Sequence, residues 1–393
     1  MIIRCDRIVV PGKILDGFLE FDESGILGLY EKDADVKADL DYCGKRIIPG
    51  IFDTHNHGGF GYVIDPAGED IKDQYRGYLK ALGSVGVTSI FPTVTRTIKV
   101  AAEVAKENPE GARIVGIHSE GPYLNRVGEK GIDTGHPDIS LDTLNQMVSD
   151  GEGLLKLVAI APELPGAKEA IEFLVSKGIR VAYAHSNNNY KEALESFSWG
   201  ITVSTHTANV MSGIHHRNMG GLGACLLDED IWCEVICDGL HVSPEMLTLM
   251  FKVKSPQKFM MVSDNGAMAG APVGRYRSFG WMDVTIDEQG FCLSDTGRLC
   301  GSTKPVLFGI GVLVNKVGLP LTTVCEMASA HPAQVYGLDK KGALLAGKDA
   351  DFVVIDENYQ ALATWREGKK IYDRAVDTDL FAKDFLKEHL VTL

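Results

Sequence analysis

Nothing in this sequence approaches the length of an apolar segment able to cross a bilayer. The longest uninterrupted run, Val306 to Val314, has nine residues, two of them glycine, against the ~20 that a spanning helix needs. A basic stripe is missing too: 39 Lys and Arg stand against 53 Asp and Glu, a formal charge of −14, and no run of cations is placed to neutralise a row of phosphates, so neither a membrane nor nucleic acid is expected as a partner. Paired cysteines are also lacking. The eight (Cys5, Cys43, Cys225, Cys233, Cys237, Cys292, Cys300 and Cys325) form no CxxC, and most lie in apolar stretches such as IWCEVIC, which reads as buried, reduced thiols. The opening MIIRCDRIVVPG sets Arg4 and Asp6 among its apolar residues, the pattern of a strand and not of a secretory leader, and a cytoplasmic location is expected.

What is present is an ordinary globular composition, 45% hydrophobic and 23% charged over 393 residues, enough for two or three domains or for one large barrel with an accessory unit. From Met1 to about Ile48 the chain reads as short strands and turns that form an incomplete β unit. From about Pro49 to Pro332 the rhythm changes to short apolar runs followed by helix-like segments. Eight such runs are expected as strands: Arg46 to Asp53, Val87 to Pro92, Arg113 to His118, Leu154 to Pro162, Gly178 to His185, Ile201 to His206, Ile231 to Asp238 and Lys258 to Asp264. Eight strands alternating with helices over roughly 250 residues suit a (β/α)8 barrel better than an open doubly wound sheet. A β-hairpin excursion is expected between Gly274 and Leu299, and the closing β stretch, beginning GALLAGKD at Gly342, is expected to pair with the opening one. The division is then 1–48 with 342–393 as a small discontinuous β domain and 49–341 as the barrel.

Histidine is unevenly spread. None precedes His55, nine fall between His55 and His241, and only His331 and His389 follow. PGIFDTHNHGG places His55 and His57 two residues apart, on the same side of an extended backbone, so both rings can reach one ion. Glu120 follows the third expected strand, His185 ends the fifth, His206 the sixth and Asp264 the eighth. Any one of them is readily a helix cap or a satisfied polar group. Four histidines and two acids at the ends of five strands converge on the active-site face of a barrel, and holding a divalent ion such as zinc is the plainest reason to gather them. Arg217 in TANVMSGIHHR offers a planar fork suited to phosphate, with backbone N–H groups near Asn209 and Val210 as further donors; the rival reading pairs Arg217 with a surface carboxylate. GALLAGKD is a near-miss to a phosphate loop, with Asp349 where Ser or Thr is needed, and no GxSxG, GxGxxG or HExxH occurs.

The ordered segments PGIFDTHNHGG, HSEGPYLN, KLVAIAPE, AHSNN, THTANVMSGIHHR, DGLHVSPE, VSDNGAMAG and HPAQVYGLDKKGALLAGKDADFVVID resemble the N-acetylglucosamine-6-phosphate deacetylases of the amidohydrolase superfamily. The resemblance implies a (β/α)8 TIM-like barrel with a small β-sandwich made from both chain ends, and a homodimer. It implies Glu120, His185 and His206 as ligands of one ion, His55 and His57 as ligands of a second, and Glu120 as the bridge. Zinc is the first expectation, with iron and manganese as alternatives. Asp264 matches the catalytic acid and base, Asn209, Arg217 and His241 match positions that hold a phosphosugar, and His241 is also expected to steady the oxyanion. His136 is a candidate for a sugar hydroxyl, although RVGEKGIDTGHPD sets it later than the family's usual histidine. Asn265 in place of alanine and Thr303-Lys304-Pro305 after Gly301-Ser302 are further departures. The implied activity is removal of acetate from N-acetylglucosamine 6-phosphate. The alternatives are the galactosamine epimer or another N-acyl substrate and, from a different class, a barrel retained only for binding or assembly.

Overall fold

Pro49 and Gly50 divide the first long apolar stretch, and that break sets the architecture. The computed structural model describes residues 1–66, 71–125, 136–278 and 282–392. In it the single strand expected over Arg46 to Asp53 is two. Arg46–Pro49 runs antiparallel to Phe352–Ile355, while Ile51–Asn56 (β1) begins a parallel series. Gly50 is required at the break, because a Cβ there would lie 2.4 Å from the Thr88 hydroxyl.

The series continues with Val87–Pro92 (β2), Ile117–Glu120 (β3), Leu155–Ile160 (β4), Arg180–Tyr183 (β5), Ile201–Ser204 (β6), Trp232–Ile236 (β7) and Phe259–Val262 (β8). Each overlaps one expected interval. The third position is split: Arg113–Ile114 pairs with β2, and β3 pairs with β4. Gly116 lies between them, where a Cβ would sit 2.3 Å from the Phe91 ring. Two sheets result, Arg113–Ile114 with β2 and β1, and β3 through β8 in order. Single parallel bridges, Thr93 to His118 and Asn56 to Asn265, link their margins. All residues of β1, β2 and β8 are buried, as expected for parallel strands covered on both faces, which is why they read as apolar runs without alternation. The covering helices carry clear start signals: Ser140 accepts from Thr143 N, Ser243 accepts from Met246 N ahead of Pro244, and Asn189 forms a capping box with Glu192.

The two ends of the chain share one sheet. Its path runs Lys369–Asp373, Ala361–Arg366, Phe352–Ile355, Arg46–Pro49, Ile2–Val10, Lys13–Asp22 and Gly25–Glu31. Phe352 stacks on Trp365 at 4.7 Å and meets Phe21 edge-on at 4.9 Å, so side chains from both ends fill one core. GALLAGKD is part of this join, with Ile26 N donating to Lys348 O and Gly347 N to Ile26 O, both at 2.8 Å. The excursion expected between Gly274 and Leu299 appears as the antiparallel strands Gly274–Ser278, Met282–Ile286 and Cys292–Ser294. Leu390–Thr392 pairs with the first of them and not with the chain's opening strands. Of the eight cysteines six are buried; Cys43 is exposed and Cys300 half-buried, so the expectation of burial fails at Cys43. No helix among the described residues is long and apolar enough to cross a membrane.

Candidate active site

The carboxyl ends of β1, β3, β5, β6 and β8 deliver six side chains to one place. Three of the positions carry backbone that non-glycine residues seldom adopt: φ is +45° at His185, +31° at His206 and +49° at Asp264. Left-handed backbone at a strand's end turns the side chain away from the strand's alternation, and His and Asp tolerate it better than most residues. Half of the six cluster side chains are thus carried on strained backbone.

Glu120 is the centre of the arrangement. Its Oε1 lies 2.9 Å from His185 Nε2 and 2.8 Å from His206 Nε2, and its Oε2 lies 3.0 Å from His57 Nε2 and 3.5 Å from His55 Nε2. The rings also approach in pairs, His185 and His206 at 3.0 Å, His55 and His57 at 3.2 Å between Nε2 atoms. Asp264 Oδ1 stands 3.4 Å from His55 Nε2 and 3.3 Å from His57 Nε2. Two groups able to hold a metal ion follow, His55 with His57 and Glu120, and Glu120 with His185 and His206. The donor set fits. Nitrogen ligands about 2.0–2.1 Å from a tetrahedral ion stand roughly 3.3 Å apart, close to the spacing within each pair. His55 and Thr54 are fully buried, and His206 nearly so.

Electrostatics agree with a site built for positive charge. Burial opposes protonation of His57, but the carboxylates of Asp264 and Glu120 outweigh it and raise its pKa to about 9. Burial likewise opposes protonation of His55, and the charges of Asp264 and Glu120 carry its pKa well above 6.5. Burial pushes the Glu120 and Asp264 carboxyls up, while the His55 charge, with hydrogen bonds from the other rings, holds both far below the ordinary range.

A second network borders the cluster. His241 Nδ1 lies 2.8 Å from Asp238 Oδ2, which also accepts from Ser302 Oγ at 2.8 Å, and Asp238 Oδ1 accepts from the backbone of Leu240 and His241. The His241 ring is thereby fixed with Nδ1 engaged. Burial opposes its charge, and Asp238 outweighs that, raising its pKa above 6.5. Asn265, the departure from alanine, donates from Nδ2 to Ser302 O at 2.8 Å and Lys304 O at 3.1 Å, and its carbonyl accepts from His57 N at 2.6 Å. The two sequence departures therefore touch each other and hold the loop after Gly301 against the end of β8.

The residues expected to hold substrate are less gathered. Asn209 donates from both its backbone N and its Nδ2 to His206 O, at 2.9 and 3.2 Å, so its backbone N–H, expected as a phosphate donor, is engaged in the turn. Val210 is half-buried at φ +47°. Arg217 sits in the exposed segment 213–218, where no carboxylate pairs with its guanidinium among the described residues. The ring of His136 bonds the Pro137 carbonyl at 3.1 Å, and the altered loop before it, residues 126–135, lies outside the described residues.

Four buried residues that sequence reasoning passed over support the site. Asp53 accepts from Ser263 N and Oγ and from His55 N, and burial lifts its pKa to about 6. His118 sets its ring edge-on to His55 at 4.6 Å. Glu234 and Asp238 lie at the inner face and the end of β7. DGLH announced Asp238 by motif; nothing in IWCEVIC distinguishes Glu234 except a lone acid in an apolar strand.

A fold of this kind carrying this constellation defines a class. The amidohydrolase family profile matches residues 46–376, and the chain belongs to that family. Within it the chain is placed among the N-acetylglucosamine-6-phosphate deacetylases. It is 33% identical over 393 residues to the N-acetylglucosamine-6-phosphate deacetylase of Rattus norvegicus, with 94% of this chain and 92% of the relative covered. The N-acetylgalactosamine-6-phosphate deacetylase of Escherichia coli O157:H7 is 30% identical over 369 residues, covering 91% and 93%. A mutant of the Mycobacterium smegmatis N-acetylglucosamine-6-phosphate deacetylase, solved in complex with N-acetylglucosamine 6-phosphate, superposes with a TM-score of 0.84 at 27% identity, covering 94% of this chain and 99% of that one.

Proposed function

We propose that this amidohydrolase removes the acetyl group of N-acetylglucosamine 6-phosphate by hydrolysis, giving acetate and glucosamine 6-phosphate. The observation that carries the reading is Glu120, one oxygen in each histidine pair, with Asp264 beside it, in a chain whose relatives are named for that reaction. Two ions are proposed, zinc first, held by His55, His57 and Glu120 and by Glu120, His185 and His206. A bound divalent ion supplies Lewis acidity, lowering the pKa of water from 15.7 towards about 7 and polarising a carbonyl. Asp264, ionised at neutral pH, accepts the proton of the attacking water. His241, its Nδ1 bonded to Asp238, turns Nε2–H towards the acetyl oxygen as charge develops there. Asp264 then returns its proton to the nitrogen as the C–N bond breaks, and acetate leaves.

We read the two linked sheets as one (β/α)8 barrel over 49–341, with 1–48 and 342–393 as a discontinuous β-sandwich domain, except that Phe385–Thr392 keeps company with the Gly274–Ser294 strands. Eight cysteines with no disulfide among the described residues suit a reducing cytoplasm. A homodimer is proposed in which the exposed 213–218 segment, Ile214 included, reaches the neighbouring subunit.

The proposed assignment of the 6-phosphate to Arg217 sets the test. Arg217→Ala should lower kcat/KM on N-acetylglucosamine 6-phosphate by about 10- to 150-fold, the worth of a charge-assisted contact, and leave the unphosphorylated sugar nearly unaffected. Equal losses on both sugars would put the phosphate elsewhere and assign Arg217 to folding or assembly.

The His241 pair gives a pH prediction. Because Asp238 raises the His241 pKa, the ring keeps its proton above pH 6.5, and activity that needs Nε2–H is full below 6.5 and declines as pH rises through the raised value. In Asp238→Asn burial is opposed only by the more distant charge of Asp264, and the alkaline limb of the kcat/KM profile should move to lower pH. A limb that does not move would remove His241 from the reacting end.

A further inference from the structure

Glu234 is fully buried on β7, and the proposed reaction leaves it without a part. Thr54 Oγ1, on β1, donates to its Oε1 at 2.6 Å and fixes the carboxylate. Its Oε2 has no hydrogen-bond partner among the described residues, and neither does His55 Nδ1; the two atoms face each other at 3.8 Å. The opposite ring nitrogen, His55 Nε2, points at His57 Nε2 and Glu120 Oε2. An imidazole binds an ion only through a nitrogen with a free lone pair, and a carboxylate behind the other nitrogen decides which one that is.

We infer that Glu234 is a positioning residue for the ion held by His55, His57 and Glu120: it keeps the His55 proton on Nδ1 and leaves Nε2 free to ligate. The inference rests on the two-ion reading above. It is specific to one ion, because Glu234 stands behind the Nδ1 of His55, whereas among the described residues no carboxylate pairs with the buried Nδ1 of His206 in the other group. A carboxylate that only tied β7 to β1 through Thr54 would instead affect folding and leave the two ions alike.

The full chain, stripped and reloaded with Zn²⁺, is measured for metal per chain and for affinity against a chromophoric chelator. Wild type should hold two ions, and His55→Asn should lose one. Glu234→Gln should keep one ion at wild-type affinity and bind the other about 10- to 100-fold more weakly, the usual effect of losing such a partner. Thr54→Val, which frees the carboxylate without removing it, should weaken the same ion by less, and it carries the test if Glu234→Gln does not fold. Two ions at wild-type affinity in the Glu234 or, failing it, the Thr54 variant would overturn the inference, as would equal weakening of both. A wild type that binds one ion, or a His55→Asn that loses none, overturns the two-ion reading, and the inference falls with it.

Discussion

Asp264→Asn is expected to lower kcat by about 10²- to 10⁴-fold while KM changes little, because in the proposed mechanism a single group both takes the proton from water and delivers it to the amine. The amide of Asn fills the same space and can still bond to the rings of His55 and His57, so the folded site should survive. What disappears is a group able to hold a proton between the two steps. Substitution also removes a negative charge from beside two histidines, and the metal content of the variant must therefore be measured alongside its rate. A variant with full metal content and near-normal kcat would show that Asp264 stands outside the mechanism.

Removal of metal is expected to abolish turnover. Four ring nitrogens within 2.8 to 3.5 Å of one shared carboxylate are electron-pair donors, and none of them polarises a carbonyl as a divalent ion would. A chelator-stripped sample should be inactive, and zinc, iron or manganese should restore activity to different extents, since N and O ligands do not select sharply among them. Glu120→Gln should reproduce the loss genetically, because one side chain serves both groups; its neutral amide offers one ligating oxygen where the carboxylate offers two. Full activity in verified metal-free protein would contradict the assignment.

The parallel strands were legible because burial on both faces writes each as a short apolar run, and glycine, proline or polar residues mark the ends. The break at Pro49-Gly50 was less visible: Arg46 to Asp53 is one apolar stretch in sequence, and only the steric demand at Gly50, with Thr88 against it, shows that two sheets divide it. His55, His57, Glu120, His185, His206 and Asp264 were legible together because strand ends in a βα series share one face. Their common geometry depends on left-handed backbone at His185, His206 and Asp264, which no residue pattern announces. Glu234 and Asp53 were hidden because a single acid within an apolar strand looks the same whether it is exposed, paired or aimed at a histidine. Arg217 was singled out by its chemistry and by the resemblance, and the structure leaves it in the exposed segment 213–218 with no carboxylate on its guanidinium among the described residues.

The most direct measurement is acetate release from N-acetylglucosamine 6-phosphate and its galacto epimer, side by side, by the metal-replete wild-type chain. Equimolar acetate and glucosamine 6-phosphate are expected, with the gluco substrate turned over at the higher kcat/KM. Faster turnover of the galacto epimer would hand the assignment to that sugar, and no acetate from either, in protein shown to hold its metal, would contradict a deacetylase altogether.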